Sequence, residues 1–170
     1  LFLNALNMFD GINYQVGFYS IFICIFFIFN NYLNELFLAI LIGLSFFLYL
    51  NHKNKSFLGD SGSYLLAFIF SYFFIKFYNQ PKIIGADHVV LFMLTPGLDL
   101  MRLFITRIYN GRLPFSPDKN HIHHILLAKN NLILTNIKIQ SLIFIPPILG
   151  FLFGYVYIFM LILLLLYFSI

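Results

Sequence analysis

Long apolar blocks alternate with short polar stretches along the chain. The blocks are Tyr14–Phe29, Leu33–Leu50, Tyr64–Phe77, His88–Ile108, Leu132–Phe153 and Tyr155–Ile170. A bilayer core about 30 Å thick takes roughly 17 to 25 apolar residues per helix, so the blocks read as candidate transmembrane helices. They fall into pairs. Asn30, Asn31 and Tyr32 make a short polar turn inside the first pair, and Asn79, Gln80 and Pro81 end the first helix of the second. Pro146 and Pro147 fall inside the fifth block, where a membrane helix tolerates proline if neighbours satisfy the freed carbonyls, and Gly154 marks the turn into the sixth. The predicted fold is all-α: a polytopic membrane bundle of about six transmembrane helices, one domain over residues 1–170.

Pairing puts Leu1–Asn13, Asn51–Ser63 and Tyr109–Asn131 on one side of the membrane. Lys53, Lys55, Arg102, Arg107, Arg112, Lys119 and Lys129 lie in or beside these segments, whereas the opposite turns hold mainly Lys76 and Lys82. The positive-inside tendency makes the three segments cytoplasmic. Asp10, Asp60 and Asp118 lie in them, Asp99 lies in the helix leading into the third, and His121, His123 and His124 follow; only Glu35 and Asp87 belong to the far side. The pattern describes a polar site at the cytoplasmic rim of an apolar bundle.

Composition narrows the classes further. With 61% hydrophobic residues, 9% charged residues and a mean hydropathy of +0.91, the chain has too little polar surface to cover a water-soluble core. Cys24 is the only cysteine, which removes disulfide scaffolds and zinc ribbons. The net charge of +4 does not signal nucleic acid, because the ten Lys and Arg are spread between apolar stretches and form no dense basic face. The opening on Leu1 and a polar motif, with no start signal, suggests the C-terminal piece of a longer protein.

Four stretches carry candidate chemistry. In Asn4-Ala-Leu-Asn7-Met-Phe-Asp10-Gly11 the two amides share a face if the stretch is helical, and Gly11 permits a sharp turn after Asp10; an ordinary Asx turn is the alternative. In Phe57-Leu-Gly59-Asp60-Ser61-Gly62-Ser63 the glycines allow backbone to approach a ligand and Asp60 suits a hard cation such as magnesium; the alternative is that Asp60, Ser61 and Ser63 cap the next helix. Asp99 lies deep in an apolar run, a functional hypothesis by default, with Arg102 as a commonplace partner one turn away. His121, His123 and His124 follow a proline-bounded turn near Arg107, Arg112 and Lys119. That cationic cluster suits a diphosphate better than zinc, although a solvated histidine-rich loop is the plain alternative.

At these motifs the chain resembles the polyprenyl-phosphate N-acetylhexosamine-1-phosphate transferases. NALNMFDG is similar to the family's Asn-x-x-Asn-hydrophobic-x-Asp-Gly loop, FLGDSGS to its Phe-Met-Gly-Asp-x-Gly-Ser loop, and PGLDLMRLFITRIYNGRLPFSPDKNHIHH to its Pro-x-x-Asp helix and histidine loop. The resemblance implies an enzyme of the bacterial inner membrane, with its active site facing the cytoplasm. It would move a sugar 1-phosphate from a UDP-N-acetylhexosamine to undecaprenyl phosphate and release UMP, with magnesium, or manganese in its place. By the same resemblance Asp60 is the metal ligand and Asp10, Asp60, His121, His123 and His124 are catalytic. Asn4, Asn7, Phe57, Arg107, Arg112 and Lys119 bind substrate, Phe57 by stacking on uracil. The interrupted His-Ile-His-His favours the UDP-N-acetylglucosamine branch, which feeds cell-surface polysaccharide, over the muramoyl-pentapeptide branch. A homodimer is left open.

Two departures stand out. Asn13-Tyr14 replaces the second Asp-Gly found in much of the family, and the upstream Asp-Asp motif is absent, so these 170 residues alone are expected to be inactive. Rival readings are a transporter or channel subunit built on Asp99 and the histidines, and a degenerate membrane scaffold.

Overall fold

The computed structural model describes residues 1–30, 33–80, 84–114 and 120–170. Among these residues the chain is helical throughout: α1 (Phe2–Phe9), α2 (Gln15–Phe29), α3 (Asn34–His52), α4 (Gly59–Tyr78), α5 (Ala86–Tyr109), α6 (Ile122–Leu127), α7 (Leu132–Phe153) and α8 (Val156–Phe168). α3, α4, α5 and α7 are long and apolar enough to cross a membrane. α2 and α8 have 15 and 13 residues, and at about 1.5 Å per residue each falls short of a 30 Å core. Of the six expected spans, four helices have the length to cross a membrane by themselves, and two shorter apolar ones pack among them.

Two of the expected hairpins form, α2 against α3 and α7 against α8. The middle pair does not close along its length. α1 packs against both α4 and α5, burying Ala5, Leu6 and Phe9, and so holds one end of the pair apart. At the other end the pair meets through Phe74 and Phe92, with ring centroids 5.5 Å apart. The wedge is an eight-residue helix, the first of the two states the sequence left open for this segment. Aromatic packing fills the far half of the bundle. Phe27 stacks on Phe37 at 4.5 Å and meets Phe74 and Phe77, and all four rings are buried.

Proline shapes two of the spans. Pro96 in α5 cannot donate to the carbonyl of Phe92 four residues back, and a helix in lipid has no water to replace that bond. The fully buried Tyr19 of α2 donates its hydroxyl to Phe92 O at 3.2 Å. Likewise Pro146 frees the carbonyl of Leu142, and Thr95 Oγ1 of α5 donates to it over a long 3.4 Å. Both helices stay continuous because a neighbouring hydroxyl takes over the vacant bond.

Tyr19→Phe is expected to destabilise the folded protein by about 1–3 kcal/mol, since a buried carbonyl loses its donor. The cost should shrink in a Pro96→Ala background, where the helix supplies its own N–H. Thermal unfolding of the single and double variants in detergent checks this; equal costs in both backgrounds would break the link between Tyr19 and Pro96.

Candidate active site

The polar end of the bundle is assembled from the loop after α1, the start of α4 and the α5–α6 region. Asn4 and Asn7 share a face of α1, as their spacing predicts. Asn7 Nδ2 donates to Asp60 Oδ1 and to Ser63 Oγ, both at 2.9 Å, so the first motif grips the second. Asp60 stands exposed in the first turn of α4, which begins at Gly59, five residues earlier than expected. Asp10 caps the end of α1 and accepts a bond from the backbone of Gly59. Burial pushes its pKa up to about 6, helped by the negative charge of Asp60 and opposed by the Gly59 bond. Among the described residues neither carboxylate has an ion-pair partner.

The glycines also answer to local structure. Gly59 sits at φ +63°, a backbone conformation that favours glycine, and a Cβ there would meet nothing within 4 Å. A Cβ on Gly62 would meet the Leu58 side chain at 2.8 Å. Gly11 has no left-handed φ, yet a Cβ there would lie 2.0 Å from His123 Nε2 and 2.2 Å from Cε1. It is small because an imidazole from 112 residues downstream is seated on it.

That contact carries the histidine loop onto the acidic loops. His121 caps α6; its ring is parallel to that of His123 at 5.2 Å, and the His123 and His124 rings are 4.4 Å apart. The three rings have different surroundings. His123 is buried, and burial, reinforced by His124 and His121, drives its pKa down to about 4, so it is neutral. Its Nδ1 has no hydrogen-bond partner among the described residues. His121 donates Nδ1–H to Asp99 Oδ2 at 2.9 Å, and His124 is half-buried.

Asp99 pairs with Arg102 as anticipated, but its partners also come from elements that spacing could not reveal. Tyr167 of α8 donates to Oδ1 at 2.9 Å, and the backbone N–H of Ile122 does so at 3.0 Å. Arg107 is buried, with Nη1 donating to the carbonyl of Pro114 in its own loop; Arg112 is exposed, and Lys119 lies outside the described residues. Asn4 is exposed and lines a groove of about 470 Å³ between α1 and α5, whose other walls are Leu1, Met8, Leu100, Met101, Phe104 and Ile105.

The departure at Asn13-Tyr14 has a local explanation. Asn13 donates from Nδ2 to Asn54 Oδ1 at 2.6 Å and accepts from the buried Asn51 at 3.2 Å. Tyr14 holds φ +75°, the conformation that suits a glycine, and is tied down by N–H to Asn51 Oδ1 at 2.9 Å and by its hydroxyl against His52 Nδ1 at 2.7 Å. Asp10, Asn13, Tyr14, Asn51, the exposed Phe57 and Gly59 line a cleft of about 220 Å³.

Residues 1–78 match the model of Glycosyl transferase family 4. The matched part is under half of the chain. The chain is 31% identical over 80 residues to an undecaprenyl-phosphate alpha-N-acetylglucosaminyl 1-phosphate transferase of Escherichia coli K12, an alignment spanning 46% of this chain and 22% of that protein. Proteins of the same name from Thermotoga maritima and Yersinia pestis are 33% and 29% identical over 75 and 79 residues, covering 44% and 46% of this chain and 24% and 22% of theirs. The chain thus aligns with under a quarter of the length of these relatives. No solved structure matches it significantly. The matched residues include Asp10 and Asp60 but stop short of Asp99 and the histidines, which the fold brings to them through Gly11.

Gly11→Ala is expected to destabilise the protein by about 1–3 kcal/mol through overpacking against the ring. Adding His123→Ala should recover most of that loss in a detergent thermal-unfolding assay. Identical midpoints for Gly11→Ala with and without the second change would show that the ring is not seated on Gly11.

Proposed function

We propose that the protein is a glycosyl-1-phosphate transferase that moves N-acetylglucosamine 1-phosphate from UDP-N-acetylglucosamine to undecaprenyl phosphate at the cytoplasmic face of a bacterial inner membrane, releasing UMP. The observation that carries this reading is the meeting of Asp10 and Asp60, two carboxylates with no ion-pair partner among the described residues, with a histidine loop at one end of an apolar bundle. The family 4 match and the names of the relatives supply the reaction class.

The donor set fits magnesium. Burial raises the pKa of Asp10 and the charge of Asp60 adds to it, and a divalent cation offsets both the burial cost and the repulsion. Among the described residues no three acids, histidines or cysteines surround one point, which suits an ion that keeps waters and substrate phosphates as further ligands. When bound, the cation would neutralise charge building on the transferred phosphoryl group. Asp60 and Asp10 would hold it, with Asn7 fixing the carboxylate of Asp60.

The surrounding residues divide the remaining work. Phe57 offers an exposed ring beside the cleft for the uracil, with the Asn13 amide nearby in its lining. The groove between α1 and α5 offers an apolar bed for the prenyl tail, with Asn4 as its polar member. The histidine loop faces the diphosphate, Arg112 and Lys119 add positive charge and hydrogen-bond donors, and Arg107 braces the loop through Pro114. Repulsion between an anionic acceptor and an anionic donor is the main barrier, so cation and donors together set the rate. The His-Ile-His-His spelling supports N-acetylglucosamine over the muramoyl-pentapeptide substrate. A transport role for Asp99 finds no support, because its carboxylate is fully engaged.

In membranes containing the complete natural protein, UDP-N-acetylglucosamine, undecaprenyl phosphate and magnesium should give lipid-dependent release of UMP. Asp60→Asn should reduce it by at least 100-fold, on the order of what loss of a catalytic charge costs. Lipid-dependent release that survives the substitution would remove Asp60 from the metal site; no release from any UDP-N-acetylhexosamine would remove the reaction.

A further inference from the structure

Asp99 is 2% exposed, so it touches no substrate, yet it is the most heavily bonded carboxylate among the described residues. Its Oδ1 accepts from Arg102 Nη2 at 3.0 Å, from the Tyr167 hydroxyl at 2.9 Å and from the Ile122 N–H at 3.0 Å. Its Oδ2 accepts from a single group, His121 Nδ1, at 2.9 Å. Arg102 is held in turn by Nε to the Tyr167 oxygen at 2.9 Å and by a bond to the carbonyl of Asn120, the residue before His121. A carboxylate in an apolar bundle persists only with such a set of donors.

The division of partners has a chemical consequence. A carboxylate only accepts, so the bond to Oδ2 places the imidazole hydrogen on Nδ1 and leaves Nε2 with the lone pair. No hydrogen bond within the described residues occupies Nε2. We infer that Asp99, steadied by Arg102 and Tyr167, is a positioning residue that locks His121 in the Nδ1–H form and so commits Nε2 to the reacting phosphates. Tyr167 extends the site to the last helix, far outside the residues that match family 4. The inference rests on the transferase reading above. Whether Nε2 takes a proton or carries one toward the diphosphate, it needs an N–H on Nδ1 facing a carboxylate.

Asp99→Asn tests this sharply, because three donors converge on Oδ1 and so dictate how the amide sits. The asparagine oxygen must stay at the Oδ1 position, which puts its NH₂ where Oδ2 was, against His121 Nδ1. That nitrogen must then accept, and the ring is forced into the opposite tautomer with no change of shape.

The experiment is steady-state UMP release by the complete natural protein, with UDP-N-acetylglucosamine, undecaprenyl phosphate and magnesium. Asp99→Asn should lower kcat by about 10²- to 10⁴-fold with KM for the nucleotide sugar little changed. His121→Ala should cost a similar factor, and the double variant should lose no more than the worse single, since the two act as one unit. Tyr167→Phe, which deletes one donor to Oδ1, should lower kcat by up to about tenfold at unchanged KM. Asp99→Asn within about threefold of wild type, or multiplied losses in the double variant, would overturn the inference, thresholds set by the non-additivity of coupled groups. Should Asp99→Asn fail to fold, Tyr167→Phe decides: a selective loss of kcat supports the inference and an unchanged kcat overturns it. Wild-type protein that releases no UMP overturns the transferase reading and this inference with it, whereas active wild type with an unaffected Asp99→Asn overturns this inference alone.

Discussion

A carboxylate inside an apolar bundle must be surrounded by donors, and the way Asp99 meets that requirement organises the polar end of this molecule. Its donors come from α5 itself, from the histidine loop and α6, and from the last helix through Tyr167. The desolvation cost of the carboxylate is offset only when all of these are in place, so satisfying it fixes the histidine loop against α5 and α8. From there the loop reaches across to the α1 motif, where the His123 ring occupies the space over Gly11. The acidic pair and the histidines, more than sixty residues apart in the chain, become one site.

The same demand for satisfied polar groups runs through the rest of the bundle. Pro96 and Pro146 each free a backbone carbonyl, and Tyr19 and Thr95 each give a hydroxyl to it. Asn51, buried near the start of α2, bonds Tyr14, Asn13 and the carbonyl of Ser56 and so supports a left-handed tyrosine where glycine is the natural choice. On α7, Asn136 and Gln140 donate to the carbonyls of Asn13 and Gln15, joining that helix to the start of α2. These polar side chains each serve a backbone group, and together they brace the rim on which chemistry can occur.

Periodic and local signals were legible in the chain; distant ones were not. α7 has the bounds expected, because a long apolar run ends in a glycine that adopts φ +72°. The shared face of Asn4 and Asn7 and the Asp99–Arg102 pair follow from helical spacing. α1 was not foreseen as a wedge, since eight mixed residues carry too little periodicity. It is also why α4 and α5 do not close as a hairpin. Gly11 looked like a turn glycine because its true constraint is a ring 112 residues away. Tyr167 ends a run of leucines, and only the rule that a buried hydroxyl needs a partner could have singled it out. Lengths of α2 and α8 depended on where turns fall, which composition leaves loose.

The central claim is that the histidine loop rests on the Asp10 loop. A solid-state NMR measurement of the dipolar coupling between the Gly11 α-carbon and His123 Nε2, on protein in bilayers labelled in glycine and histidine, tests it most directly. The account predicts a strong coupling, as for atoms in van der Waals contact, that disappears in His123→Gln and survives in His88→Gln, the change that removes the other glycine–histidine neighbour, at Gly85. A folded protein whose only glycine–histidine coupling is the one lost with His88 would contradict it.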